Sequence, residues 1–228
     1  MLQVDKIAKT FDGRKILRDV SFTLENSGVL LVTGKNGSGK TTLLNILSCL
    51  IPTDGGSAET DTAKLSVSKS WKEQTAFVSH ELLIAENQSV EFTLNFYRKF
   101  FNINDSRYME NLQTFEIHEL IGKKVGELSA GEARRLDFCI CFMRDVKLQL
   151  FDEPLVSVDE NFRRRFFRTL RNSLEQRITI IVTHNPKAFV ELEPTFSILK
   201  NGFLFQPDAE KSTDYQHILD IISQEIAM

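Results

Sequence analysis

The sequence contains few cysteines and no long apolar run, and each shortage excludes a class of protein. Its only cysteines, Cys49, Cys139 and Cys141, are too few and too unevenly spaced for a disulfide framework, so we expect reduced thiols in a cytosol-like compartment. No apolar stretch approaches the roughly 20 residues that a membrane-spanning helix needs. The first residues resemble neither a signal peptide nor a transit segment, so we expect neither secretion nor import.

An excess of positive charge is also missing. The formal net charge is −3, which gives the chain no global attraction to nucleic acid. The arginine-rich segment 160–174 alternates its arginines with apolar residues at helical spacing, so the arginines are expected on the solvated face of an amphipathic helix. We therefore expect no nucleic-acid partner.

Apolar runs of strand length alternate with segments of helical period. Leu2–Ile7 and Ile16–Leu24 predict an antiparallel pair of strands joined by a turn at Phe11–Arg14. A continuous apolar run, typical of a parallel strand buried on both faces, lies at Val29–Thr33, and we expect two further buried strands at Lys147–Phe151 and Ile178–Thr183. The sequence therefore predicts an α/β fold with a mostly parallel sheet and an N-terminal antiparallel piece.

The remaining segments predict helices and turns around this sheet. Thr41–Leu50 carries an apolar stripe at helical spacing, Pro52–Gly56 is expected to be a loop, and 81–144 is mostly helical in period. We expect one domain over 1–228, with a core formed by 1–80 and 145–206, a small helical subdomain at 81–144 and a C-terminal helix at 207–228.

The segment Gly34–Thr42 fits the phosphate-binding pattern G-x-x-x-x-G-K-[ST] between a buried strand and an amphipathic helix. Its glycines let successive backbone N–H groups point at phosphate oxygens, and the helix that follows adds its positive end. Lys40 is expected to bridge the β- and γ-phosphates, and the Thr41 hydroxyl to ligate Mg²⁺. The candidate nucleotide ligands are Gly34, Lys35, Asn36, Gly37, Ser38, Gly39, Lys40, Thr41 and Thr42.

Two adjacent acids, Asp152 and Glu153, follow the apolar strand at Lys147–Phe151. Alone, such a pair is often no more than the end of a strand. Downstream of a phosphate-binding loop, Asp152 is expected to hold the Mg²⁺ shell, and Glu153 to polarise an attacking water.

A third motif, Leu128–Glu132, places a serine and small residues before a helical segment. The start of a helix is an anion site, but the plainer interpretation is an N-cap with a glutamate in the first turn. Without the other motifs the plainer interpretation would be preferred.

Together these motifs resemble those of ATP-binding cassette (ABC) ATPases. Leu128–Glu132 resembles the family signature L-S-G-G-Q, with Ala130 and Glu132 as departures. Phe11 sits where the family has an aromatic residue that stacks on adenine, and His184 matches its switch histidine. The resemblance implies a P-loop NTPase core of the ABC type.

Further agreement comes from the D-loop and from the order of the motifs. Val156–Asp159 matches the D-loop, and the order and spacing hold from about Leu2 to Lys200. By resemblance, two cassettes pair head to tail, most simply as a homodimer. ATP and Mg²⁺ would then lie between the phosphate-binding loop of one copy and a set of residues from the other, namely Ser129, Ala130, Gly131 and Glu132.

The resemblance also assigns roles in hydrolysis. Glu153 would be the general base and His184 the γ-phosphate contact, while Thr41 and Asp152 would contact Mg²⁺. The family has a glutamine after the strand that ends near Ser79, and here that position falls on His80 or Glu81. A carboxylate is the better ligand for a hard cation, which favours Glu81, whereas strand alignment favours His80.

The chain looks like a small cassette that powers a separate membrane permease from the cytoplasmic face of an inner membrane, or from a mitochondrial matrix face. The Ser-Ala-Gly form of the signature resembles the ATP-binding subunit of the cytochrome c maturation haem exporter. The Phe-rich stretch Phe92–Phe101 is expected to be subdomain core, or the groove that receives a permease helix, rather than a haem site. The alternative is an assembly ATPase of the iron–sulfur cluster type, without a permease.

Overall fold

The computed structural model describes residues 1–65, 69–206 and 215–227. Its strands are β1 (Leu2–Phe11), β2 (Arg14–Leu24), β3 (Gly28–Thr33), β4 (Gly55–Thr60), β5 (Thr75–Val78), β6 (Leu148–Asp152), β7 (Ile178–Val182), β8 (Thr195–Lys200) and β9 (Phe203–Phe205). Its helices are α1 (Lys40–Leu47), α2 (Lys69–Glu73), α3 (Val90–Phe100), α4 (Asp105–Thr114), α5 (Ala130–Met143), α6 (Glu160–Leu174) and α7 (Tyr215–Ala227). Residues 207–214 and 228 of the predicted C-terminal helix lie outside the described residues.

The larger sheet has six strands in the order β5-β6-β7-β3-β8-β9. The first five strands are parallel, and β9 returns antiparallel to β8. Every residue of β6 and β7 is buried, as predicted for these two strands. Since the carboxyl ends of parallel strands share one edge, the loops after Thr33, Asp152 and Val182 meet there.

A smaller antiparallel sheet of three strands, in the order β2-β1-β4, covers one side of α1. The β1–β2 hairpin turns at Asp12 and Gly13, whose φ values of 47° and 78° are both positive, as a tight hairpin turn requires. The predicted mixture of parallel and antiparallel sheets is therefore confirmed.

The prediction of a loop throughout Pro52–Gly56 was wrong, because β4 begins at Gly55. Ala58 is the only apolar residue of that strand, so no apolar run marks it. At Gly56, where φ is +77°, an added Cβ would lie 2.2 Å from the Lys6 carbonyl oxygen. Pairing with β1 requires that close backbone approach, and only glycine permits it.

Helix α1 is shorter than the predicted Thr41–Leu50. It ends at Leu47, and Cys49 then takes a φ of 60° in the left-handed region. The predicted helix was too long because Leu50 continues the apolar spacing in the sequence, although the backbone leaves the helix before that residue.

The segment between β5 and β6 is helical and packs on the sheet through aromatic rings. Phe138 of α5 stacks on Phe151 of β6 with ring centres 5.5 Å apart and meets Phe166 of α6 edge-on at 4.9 Å. These contacts fix α5 relative to the carboxyl edge of the sheet. Among the described residues, no helix has the length and apolar character to cross a bilayer.

Candidate active site

The phosphate-binding loop connects β3 to α1 at the carboxyl edge of the sheet. Gly39 precedes α1 with a φ of 104°, and no side chain caps the helix. A φ of 104° is one that residues with a side chain rarely adopt, and an added Cβ on Gly39 would also lie 3.2 Å from the Ile16 carbonyl oxygen, so a larger residue would be strained there. The first N–H groups of α1 therefore face the loop without partners inside the helix.

The loop closes around the Lys40 ammonium group. Lys40 Nζ donates hydrogen bonds to the carbonyl oxygens of Gly34 at 2.8 Å and Lys35 at 3.0 Å. Burial lowers the pKa of Lys40, while the nearby charges of Glu153 and Asp152 act in the opposite direction. A cation in this position can turn its donors to a phosphate oxygen.

The donors of the loop fit a phosphate group. The Ser38 hydroxyl is buried and has no hydrogen-bond partner among the described residues. An added Cβ on Gly34 would come within 2.3 Å of the Leu199 carbonyl oxygen, so the loop depends on the absence of a side chain there. An orphaned hydroxyl, a buried ammonium and a free helix N-terminus form a cradle for an anion.

Thr41 and Asp152 lie together, as expected for two Mg²⁺ ligands. Thr41 Oγ1 donates to Asp152 Oδ2 at 2.7 Å, and Asp152 is 1% exposed. Burial raises the pKa of Asp152, the charge of Glu153 acts in the same direction, and the hydrogen bond from Thr41 opposes them. A hydroxyl and a carboxylate oxygen are the ligand types that suit Mg²⁺.

Glu153 is held by the residues that follow β7. The His184 backbone N–H donates to Glu153 Oε1 at 2.9 Å, and the Thr183 hydroxyl donates to Oε2 at 3.2 Å. His184 Nδ1 lies 2.9 Å from Oε2. The predicted base and the predicted switch histidine are therefore in contact, and Thr183 joins them although the sequence did not indicate it.

His80 and Glu81 both line the same cleft, so the structure brings both candidates for the family glutamine to the site. His80 is close enough to Asp152 that a charged imidazole lowers the pKa of that carboxyl. Arg134 of α5 donates to the Ser79 carbonyl and, at 3.4 Å, to the His80 carbonyl. The sequence did not single out Arg134, whose partners lie more than 50 positions earlier in the chain.

These groups surround an open cleft of about 910 Å³, the size of a small-molecule site. Its walls include Phe11, Asn36, Gly37, Gly39, Lys40, Thr41, Thr42, His80, Glu81, Asp152, Glu153 and His184. The cleft does not include the signature segment 129–132. One chain therefore brings most of the predicted groups to this cleft, while Gly34, Lys35 and Ser38 line a neighbouring cleft and the signature residues line neither.

The signature forms the start of α5. Ser129 caps the helix by accepting a bond from the Glu132 N–H at 3.3 Å, and Glu132 Oε2 accepts from the Ser129 N–H at 2.8 Å. Glu132 Oε1 also pairs with Lys123 Nζ at 2.6 Å. The bonds from Lys123 and from the Ser129 backbone lower the pKa of Glu132 to about 2.

The family model for ABC transporters matches residues 17–156, which is more than half of the chain. The chain belongs to the ABC transporter family. This confirms the resemblance drawn from the motifs, and the domain is an ABC ATPase.

Two relatives illustrate the range of the family. The ribose import ATP-binding protein RbsA of Lactococcus lactis is 25% identical over 231 residues, which cover 96% of this chain and 47% of that protein. The phosphonates import ATP-binding protein PhnC of Fusobacterium nucleatum is 29% identical over 235 residues, covering 94% of this chain and 95% of that protein. This chain thus spans about half the length of the ribose relative.

Solved structures agree on the fold. One described as an ATP-binding subunit of an ABC transporter matches with a TM-score of 0.86 at 18% identity, over 100% of both chains. A dimeric ATP-binding cassette in a post-hydrolysis state, bound to ADP and Pi, matches with a TM-score of 0.78 at 18% identity, covering 90% of this chain and 98% of that one.

Proposed function

We propose that this ABC ATPase domain hydrolyses ATP to drive a membrane permease carried on a separate chain. The observation that carries the proposal is the convergence of Lys40, Thr41, Asp152, Glu153 and His184 at one cleft on the carboxyl edge of the sheet. Relatives named as import ATP-binding proteins support the link to transport. The domain would act at the cytoplasmic face of an inner membrane.

Hydrolysis needs a positioned base and a held phosphate chain. The loop N–H groups and Lys40 bind the phosphates, and Phe11, 44% exposed at the mouth of the cleft, stacks on adenine. Thr41 and Asp152 would hold Mg²⁺, which neutralises phosphate charge. Glu153 accepts a proton from water as the water oxygen bonds to the γ-phosphorus and the bond to ADP breaks. His184 holds Glu153 in place.

The signature completes the site from a second copy. Its residues lie outside the cleft, and Ser129 and Ala130 are exposed at the start of α5. We therefore place the Ser129–Glu132 segment of one copy against the nucleotide bound by the other. The structural neighbour that is a dimeric cassette bound to ADP and Pi supports this arrangement.

The permease is proposed to contact α3. Phe92, Phe96 and Phe100 repeat every fourth residue and are 56%, 51% and 65% exposed, so they form an aromatic stripe on the surface. Of the two roles predicted for Phe92–Phe101, subdomain core or a groove for a permease helix, the exposure of these three residues favours the second. The stripe follows the loop that carries His80 and Glu81, which gives a partner at α3 a route to the cleft.

The transported substrate is open. The names of the relatives concern ribose and phosphonates, and they do not support the predicted haem export, which remains a prediction. The iron–sulfur assembly alternative is not favoured, because the same relatives are named for import systems.

The experiment is to purify the tagged chain in detergent and to measure its ATPase rate after reconstitution with the multi-span membrane protein that accompanies it. We expect stimulation by that protein, and loss of stimulation with Phe96→Ser. Lys187→Ser, an exposed change elsewhere, serves as the control. A chain that never associates with a membrane protein, or a rate that the membrane protein does not alter, contradicts the proposal.

A further inference from the structure

The signature of this chain carries a negative charge at the position that would face phosphate. Glu132 stands where the family resemblance places an uncharged glutamine, at the start of α5. In the proposed dimer, on which this inference rests, that helix start faces the phosphates held by a second copy. A carboxylate there repels phosphate, since like charges at close range oppose each other.

Protonation does not remove this charge. The bonds to Lys123 and to the Ser129 N–H keep the pKa of Glu132 at about 2, so the carboxyl is ionised at neutral pH. Any neutralisation must come from a cation. Lys123 is the residue that supplies one, with its Nζ atom 2.6 Å from Glu132 Oε1.

Lys123 is anchored by its backbone. Its N–H donates to the Leu120 carbonyl at 2.9 Å, and its carbonyl accepts from the Val90 N–H at 3.0 Å. This ties Lys123 to the first turn of α3. The Lys123 side chain is 42% exposed, so its remaining donors are open to the surface on which the signature lies.

We propose that Lys123 is a positioning residue that neutralises Glu132, so that an acidic signature can receive the phosphates of a nucleotide bound to a second copy of the chain. Both oxygens of Glu132 are occupied, one by Lys123 and one by the Ser129 N–H. The carboxylate is thereby folded back over its own helix. The Ser129 hydroxyl remains exposed at the helix start, where it can donate to phosphate.

The variant Glu132→Gln distinguishes the effect of the charge at this position from the effect of the helix cap. Glutamine serves the same helix-capping role as glutamate in this motif, so Glu132→Gln keeps the cap and removes only the charge. If Lys123 acts by neutralisation, Lys123→Ala should be harmful only while Glu132 is present.

The test measures ATP-dependent dimerisation by analytical ultracentrifugation, in a Glu153→Gln background that binds ATP without hydrolysing it. We expect Lys123→Ala to weaken the dimer about tenfold or more, and Lys123→Arg to restore it. The double variant Lys123→Ala/Glu132→Gln should return to within about threefold of the parent. Lys124→Ala, a neighbouring exposed change, is the control, and ATP binding to the monomer should be equal in all variants.

The outcomes distinguish a failure of the proposed dimer from a failure of the role of Lys123. If the Glu153→Gln parent forms no ATP-dependent dimer, the proposed head-to-tail function fails and this inference fails with it. If the parent dimerises but Lys123→Ala matches it, or the double variant is as weak as Lys123→Ala, only the inference is overturned.

Discussion

The two halves of the site differ in how they are supported. The phosphate-binding half is internally bonded: Thr41 contacts Asp152 at 2.7 Å, and the His184 N–H holds Glu153 at 2.9 Å. The signature half, at the start of α5, is held by bonds within its own turn, by the Leu128 N–H to the Val125 carbonyl and by Lys123. The sheet edge builds the first half, whereas in the proposed dimer the second half acts only on the nucleotide bound by another copy.

The largest effect is expected from Glu153→Gln, which tests the phosphate-binding half. An amide keeps the shape of the side chain but cannot accept the proton from water, so turnover should fall about 1,000-fold while ATP binding persists. Steady-state hydrolysis and calorimetric binding measure the two quantities. Glu175→Gln, an exposed change at the end of α6, is the control, and a turnover within about threefold of wild type would show that Glu153 is not the base.

Lys40→Ala is expected to lower ATP affinity about 10- to 100-fold, because the buried ammonium, which donates to the Gly34 carbonyl, would form charge-assisted bonds to phosphate in the proposed ATP complex. The fold should survive, since the glycines shape the loop. Calorimetric titration with ATP and a thermal unfolding curve check the two statements, and Lys187→Ala provides the matched surface change. Equal affinities for Lys40→Ala and wild type would remove Lys40 from the site.

The loop after β5 allows a comparison within the phosphate-binding half, between His80 and Glu81. If Glu81 supplies a Mg²⁺ contact, Glu81→Ala should reduce Mg²⁺-dependent hydrolysis about tenfold and leave Mg²⁺-free nucleotide binding nearly intact. If His80 takes the glutamine role instead, His80→Ala should do the greater damage. Hydrolysis measured across a Mg²⁺ titration decides between them. If neither variant alters hydrolysis or permease stimulation, the loop does not couple the two.

The smallest effect concerns stability near the signature helix. Burial raises the pKa of Asp137 on α5 to about 7 from an ordinary 3.8, against the charge of Arg134. The folded state binds this proton more tightly than the unfolded chain. Its contribution to stability is therefore complete below about pH 3.8 and is lost as the pH rises through about 7.

Asp137→Asn removes this contribution, so the melting temperature should fall less between pH 5 and pH 8 than in the wild-type protein. For a chain of this size, each kcal/mol of pH-dependent stability that is removed corresponds to about 2–4 °C. Thermal unfolding at both pH values measures the change, and Asp5→Asn on the exposed side of β1 is the comparison. An unchanged pH dependence in Asp137→Asn would show that this carboxyl is ionised in both states.

Much of the site could be predicted because its motifs are local. The phosphate-binding loop, the acid pair and His184 each follow a buried strand, and parallel strands bring such ends together. The Lys123–Glu132 pair was missed because Lys123 lies in a turn outside the helix, where no periodicity relates the two residues. Strand β4 was missed because its residues are mostly polar or glycine, and only pairing with β1 defines it.

The sequence pattern also could not predict which face of helix α3 is turned to the core and which to the surface. Phe92, Phe96 and Phe100 follow a helical period as core residues do, but that period is the same whether a face is turned to the core or to a partner. Arg134 was missed for a similar reason, since its partners are backbone carbonyls that carry no sequence signal.

The most direct measurement of the central claim, that each chain carries two halves of different sites, is a mixing experiment. Lys40→Ala disables the phosphate-binding half and Ser129→Arg the signature half, so each variant alone should be inactive. An equal mixture should recover about a quarter of wild-type hydrolysis, because half of the dimers are mixed and each contains one intact site. Replacing Ser129→Arg in the mixture by the double variant Lys40→Ala/Ser129→Arg should abolish the recovery. A mixture no more active than its two components would contradict the account.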